Sequence, residues 1–455
     1  MRGACLADSR TKPNARARSL PQNGVLREDF ALQPIMQRFQ HFFANHFPAL
    51  TSRDYAIFWV GQFLSVIGTW MQNTTLPYVA YQITGSSLDL GLIGFATTLP
   101  MLFITLPAGV IVERLDKRKT VIVMQSVMMF QAFILAALTF SGRLQIWHIT
   151  MLAFVLGSAS AIEITARQAM LIELAGREAL PNAIAVQTTA FNLGRVIGPT
   201  VAAALLTLNN GAGKVFLSNG ISYIFVIVGL FFVRTRYQVQ REATGTHSLR
   251  AEFGEGQRYI RQNPLVSQII IMMAVVGFFG FPLMQQIPAV AKDVLAQAMD
   301  TEQIVAARNS ALYTFQGIGA LVAAFSIAFF TSFKKKGVWL TFGQYIFMLA
   351  VIALSFIRTA TPAYILLILI GWGTVTQLAI MNVLIQVQVP NGLRGRVFST
   401  YLWAIQGVAP FGSLLIGWWA QTWGVPNTLL ACGIIILVIL SGMHVSTPDI
   451  RKSEA

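Results

Sequence analysis

The chain has 455 residues, of which 55% are hydrophobic and 11% charged, with a mean hydropathy of +0.61. Soluble domains carry about 25% charged residues, so a water-facing surface of this size is excluded and lipid is the remaining solvent. The net charge of +15 reads as basic loops that orient a membrane protein, not as a nucleic-acid surface.

Residues 1–50 contain Arg2, Arg10, Lys12, Arg16 and Arg18 without an apolar core of signal-peptide length. They are expected to form a disordered cytosolic tail, with Met36 as the true start. Apolar segments follow near 55–81, 88–112, 119–141, 146–173, 181–208 and 215–233, then near 265–291, 307–331, 337–357, 362–389, 397–421 and 426–445. One crossing takes about 20 apolar residues, so twelve fit. The expected domains are a six-helix bundle over 51–234, a linker over 235–264, a second bundle over 265–446 and a tail over 447–455.

The loops alternate in charge. Even loops carry Arg114, Lys117, Arg118 and Lys119, then Arg177, then six arginines between Arg234 and Arg261, then Lys334 to Lys336, then Arg394 and Arg396. Odd loops carry only Arg143, Lys214, Lys292, Arg308 and Arg358. The bias puts both termini and the even loops in the cytoplasm. Within the linker, Leu249, Phe253, Tyr259 and Ile260 among charged neighbours suggest an amphipathic helix on the inner membrane face; a plain flexible linker is the alternative. A faint repeat joins the halves: Pro77 and Pro288 lie 211 residues apart, as do Pro199 and Pro410.

Gly109, Glu113, Arg114 and the run Lys117-Arg118-Lys119 follow the second segment. This spacing resembles the loop 2–3 signature of the major facilitator superfamily, with Asp116 where glycine is usual. Asn192-Leu-Gly194-Arg195-Val-Ile-Gly198-Pro199 in segment 5 is similar to the antiporter signature of drug exporters, although Ala185 and Ala202 replace glycines. Ser65-Val-Ile-Gly68, Thr84-Gly85-Ser86-Ser87, Ala166-Arg167-Gln168-Ala169, Leu180-Pro181-Asn182-Ala183 and Arg394-Gly395-Arg396-Val397 look like the bacterial drug and siderophore exporter branch, which includes enterobactin exporters and macrolide efflux proteins.

The resemblance spans roughly residues 50–440. It implies an all-α membrane protein of the major facilitator fold, with twelve transmembrane helices in two pseudo-symmetric six-helix bundles. It also implies a monomer in the bacterial inner membrane and proton-coupled export by alternating access. The 109–119 cluster would latch the cytoplasmic side, with a positive-inside anchor as the simpler reading. Gly194, Arg195, Gly198 and Pro199 would set the geometry of segment 5, either for rocking or for packing alone.

Ionisable residues inside a bilayer are costly and default to functional candidates. Glu163 and Arg167 lie four apart on one helical face, with Arg195 a possible partner of Glu163. Glu163 is the candidate proton carrier; a permanent ion pair is the alternative. Thr69 stands where the branch often has an acid. In the superfamily, helices 1, 4, 7 and 10 line the cavity, which here offers Trp70, Gln72, Asn73, Phe281, Gln285, Gln286, Gln377, Asn382 and Trp403. Amides and rings suit a bulky amphipathic or weakly charged small molecule. A lipid carrier such as a lysophospholipid flippase is the second expectation, and a non-transporting scaffold or sensor the third.

Enzymatic activity is not expected. Cys5 and Cys432 build no disulfide framework or metal site, no cofactor is implied, and Gly211-Ala-Gly213-Lys214-Val215 lacks the spacing of a phosphate loop.

Overall fold

The computed structural model describes residues 47–234, 249–329, 335–390 and 393–446, without the side chains at 105–111, 113–114, 249–253 and 395. The expected N-terminal tail, the start at Met36 and the side chains of Gly109, Glu113 and Arg114 lie outside that description.

Local signals set the helix ends. Helix α1 (Arg53–Thr84) starts where the Ser52 hydroxyl accepts from the Tyr55 N–H, and ends at Gly85 with φ 61°. Only glycine adopts that left-handed backbone at little cost. Ser86 then caps α2 (Ser87–Arg114) by accepting from the Asp89 N–H at 3.2 Å. The Thr84-Gly85-Ser86-Ser87 motif is therefore a stop signal followed directly by a start signal. Asp116 caps α3 (Lys117–Phe140) in the same way, accepting from the Lys119 N–H at 3.1 Å.

Segments 4 and 5 depart from expectation. They form one 61-residue path, α4 (Ile146–Leu206), whose two limbs meet at Gly176 with φ 77° and ψ 161°. That backbone region is essentially closed to residues with a Cβ, so a single glycine replaces the expected loop. Helix α5 (Gly211–Phe232) completes the first half.

The linker does contain a helix, α6 (Leu249–Gln262). It docks on protein. Gln257 donates to Thr400 at 2.9 Å, Tyr259 donates to the Gln388 carbonyl at 3.0 Å, Glu255 pairs with Arg396, and Ile260 is buried.

In the second half, α7 (Pro264–Val294) is irregular. Its turns widen to a π pattern over Val276–Gly280 and tighten to 3₁₀ over Phe281–Gln286. Pro282 and Pro288 each remove a backbone donor and force that change. Helices α8 (Glu302–Phe329), α9 (Lys336–Phe356) and α10 (Ala360–Gln388) follow. Segment 11 breaks at Gly407–Val408 into α11 (Arg394–Gln406) and α12 (Ala409–Trp423), with Pro410 in the first turn of α12. Helix α13 (Val425–Ser446) ends the described chain.

Nine of these elements are long and apolar enough to cross a membrane, α4 being counted once. Their outward faces carry large apolar side chains, such as Phe231 and Phe325, each 65% exposed. In water that surface would be an aggregation liability; in hydrocarbon it is matched to the solvent. The largest buried cluster belongs mainly to the second half, with Met272, Leu312, Phe347, Ile370 and Cys432, while the first half packs through smaller clusters.

The hydrogen bonds described between the halves lie towards the odd-loop end. Tyr78 donates to the Glu302 carbonyl at 3.2 Å, Tyr81 bonds Asp293, and the Ser87 N–H donates to Gln421 at 2.8 Å. Asn309 donates to the Thr74 carbonyl at 3.3 Å. Beside them α2 and α12 meet backbone to backbone. A Cβ on Gly91 would stand 2.4 Å from the Ser413 carbonyl oxygen, and one on Gly417 would stand 2.8 Å from the Gly91 Cα. Such small-residue contacts let helices approach closely in lipid. Behind this seal, Arg308 donates to Asp300 at 2.5 Å and to the Ala291 carbonyl at 3.2 Å, pinning the 295–301 loop.

Three outcomes follow. Gly176→Ala forces a disfavoured backbone at a cost of roughly 1–3 kcal/mol and lowers the apparent melting temperature in detergent. Gly91→Leu separates α2 from α12 and raises the alkylation rate of a cysteine placed at Gln421. The Gln297 N–H and the Arg308 guanidinium hold the Asp300 carboxyl below the usual carboxylate range. Its ordering effect is therefore complete above the unfolded value near ~4 and is lost as pH falls through the lower folded value. A spin label at Met299 stays equally mobile at neutral and mildly acidic pH and loosens only below about pH 4.

Candidate functional site

A cavity of about 410 Å³ lies between the halves, lined by Trp70, Asn73, Thr97, Thr98, Arg195, Phe281, Gln285, Tyr313, Gln316 and Gln406 among others. It meets a second cleft of about 380 Å³ through the shared residues Met101 and Gln406. That cleft runs between α4 (Ile164, Thr165, Gln168) and α11 (Ser399, Leu402, Trp403), on the even-loop side. The inter-helix space is therefore sealed towards the odd loops by the bonds above and leads towards the even loops.

Glycines build the first-half wall. A Cβ on Gly198 would stand 2.5 Å from the Trp70 Cβ and 2.9 Å from the Ile67 carbonyl oxygen; one on Gly194 would meet Val66 at 2.6 Å. The bare face of α4 thus lets α1 close in and brings Arg195 over the Trp70 ring, 5.3 Å from its centroid. Phe191 meets the same indole edge-on at 5.4 Å. Pro199 is buried just beyond. The glycines of the segment 5 motif pack against α1, and Arg195 lines the cavity.

Of the residues expected in the cavity, Trp70, Asn73, Phe281 and Gln285 line it, and Trp403, 49% exposed, lines the cleft. The others lie elsewhere. Gln72 is buried inside the first half, donating to Gln131 at 3.1 Å and accepting from Asn219 at 2.9 Å. Gln286 donates to the Ser87 carbonyl at 3.3 Å, across the seal. Gln377 is fully buried, with both amide atoms unpaired among the described residues. Asn382 bonds Gln386 one turn along.

Thr97, Thr98, Gln316 and Gln406 were not anticipated, because they sit on segments 2, 8 and 11. Their signal was present as lone polar residues within apolar runs.

Glu163 is 4% exposed and accepts from Arg167 at 2.9 Å and from Gln125 at 3.1 Å. Arg195, the possible second partner, does not pair with it: Arg167 is one turn away on the same limb, while Arg195 faces Trp70. The basic run is engaged within the first half. Lys117 pairs with Glu173, Arg118 donates to the Phe231 carbonyl at 3.1 Å, and Lys119 stands 4.0 Å from Asp116.

The sequence and structure compare closely with known transporters. The family model described as transmembrane secretion effector matches residues 44–455. The multidrug efflux pump Tap of Mycolicibacterium fortuitum is 24% identical over 393 residues, covering 85% of this chain and 94% of that protein. The staphyloferrin A transporter of Staphylococcus aureus is 24% identical over 390 residues, covering 84% and 93%. The enterobactin exporter EntS of Salmonella choleraesuis is 24% identical over 360 residues, covering 79% and 83%. Among solved structures, a variant of the nucleoside transporter NupG superposes with a TM-score of 0.72 at 11% identity, covering 86% of this chain and 98% of that one. A bacterial homologue of the lysosomal transporter Spinster, inward-facing and unoccupied, gives 0.69 at 14% identity, covering 87% and 96%. The match over nearly the whole chain, with the fold and cavity to go with it, makes this protein a member of the transmembrane secretion effector family of major facilitator transporters.

Proposed function

We propose that the chain exports a bulky amphipathic small molecule from the cytoplasm by alternating access, driven by the proton gradient. The observation that carries this reading is the central cavity, closed towards the odd loops and leading to the even-loop cleft. With the basic even loops in the cytoplasm, this is the loading state. Export then requires the Tyr78, Tyr81, Ser87 and Asn309 bonds to release while the even-loop side closes. Relatives named for drug and siderophore efflux support the direction and the cargo class.

In this reading the membrane is crossed twelve times: the two limbs of α4 count separately, α11 and α12 form one crossing, and α1 is added. Two six-helix halves joined through α6 then rock about the cavity. In the same reading the protein works as a monomer in the bacterial inner membrane. On closure of the even-loop side, the 109–119 cluster is the natural latch, with Lys117 exchanging Glu173 for a partner on the second half.

Glu163 is the proton carrier of this scheme. Arg167 and Gln125 both donate to its carboxylate, and an exchange of these partners between the two states is the coupling step. In cells loaded with a panel of efflux substrates, a protonophore abolishes export by the wild type. Glu163→Gln lowers export about tenfold or more, the range of a lost proton-transfer group, and removes the remaining dependence on external pH. Full gradient dependence in that variant would exclude Glu163 from coupling.

A further inference from the structure

Resting on the export reading, we propose that Arg195 and Trp70 form an anion subsite in the central cavity, so that the cargo carries a carboxylate, sulfonate or similar oxyanion on an apolar body. Four other described cations have carboxylate partners: Arg167 has Glu163, Arg308 has Asp300, Lys117 has Glu173 and Arg396 has Glu255. Arg195 has no such partner among the described residues, and its buried Nε has no acceptor. It is also the sole formally charged residue in the cavity lining, in which no Asp or Glu takes part.

A guanidinium does not lose its proton in proteins, so it cannot relieve the burial by neutralising itself. An unpaired charge at this depth is costly, and the indole face beneath it offsets only part of that cost. The missing counter-charge has to come from what enters the cavity.

The surroundings fit such a guest. A guanidinium presents a planar fork that matches an oxyanion bidentately, and Asn73, Gln285, Gln316 and Gln406 add neutral amides to the same cavity. Phe281 and Met284 supply apolar wall. Gly194 and Gly198 hold the stack in place, since a larger side chain at either would push α1 and Trp70 away. A purely structural arginine would be expected to hold a carbonyl or carboxylate, as Arg308 does.

The test uses three probes with one ring system: 1-naphthoate, 1-naphthalenemethanol and 1-naphthylmethylammonium. Full-length protein in detergent is bound to scintillation beads, and tritiated 1-naphthoate is titrated without any gradient. Wild type binds the carboxylate, and unlabelled 1-naphthoate displaces it, whereas the alcohol and the ammonium at equal concentration do not. Arg195→Gln weakens binding by about tenfold or more, the range of a lost charged hydrogen bond, while Arg195→Lys keeps most of it. Monodisperse elution of both variants shows that they fold, and the lysine variant separates lost charge from lost packing. No binding by the wild type, equal competition by all three probes, or unchanged affinity in Arg195→Gln would each overturn the proposal. Because no gradient is applied, the anion site can fail while efflux persists, and efflux can fail while the anion site stands.

Discussion

A polar group surrounded by hydrocarbon has no water to turn to, so its partner must come from the same chain or from a guest. That constraint explains most of the interior. Gln72, Gln131 and Asn219 form a buried chain of amides that ties α1, α3 and α5 together, and Ser222 extends it by donating to Asn219. Gly68 makes room for that chain: a Cβ there would stand 2.4 Å from the Ser222 hydroxyl. Glu163, Arg167 and Gln125 form a second bonded group. At Arg195, whose buried Nε has no partner among the described residues, the chain faces its cavity.

The same reasoning separates the two ends of the molecule. At the odd-loop end, mostly side chain to backbone bonds together with bare glycine contacts join the halves. At the even-loop end the described ion pairs stay inside one half or run from α6 to α11. A joint of short contacts is either made or broken, which suits an alternation between two states better than a gradual deformation.

Much of this was legible in the sequence. Composition pointed to lipid as the solvent, and the Thr84-Gly85-Ser86-Ser87 motif marked a turn. Three things were not. The joint at Gly176 was hidden because a glycine followed by Arg177 and Glu178 reads as a loop, and only backbone angles show that no loop is needed. The break at Gly407 was hidden inside a continuous apolar run. The cavity set was split because helical position alone does not say which amide finds a partner: Gln285 stays free to line the cavity, while Gln286, its neighbour in sequence, turns to the Ser87 carbonyl. The irregular turns of α7 decide that outcome, and they arise from prolines whose effect on side-chain direction is not additive along the chain.

The single-residue joint at Gly176 also limits how the first half can move. Each limb of α4 carries one of the proposed functional groups, Glu163 on one and Arg195 on the other. With no slack between them, one limb cannot slide along its axis without dragging its neighbour. Cargo bound at the arginine and a proton held at the glutamate would then press on one stiff lever, with no need for a relay of side chains between them.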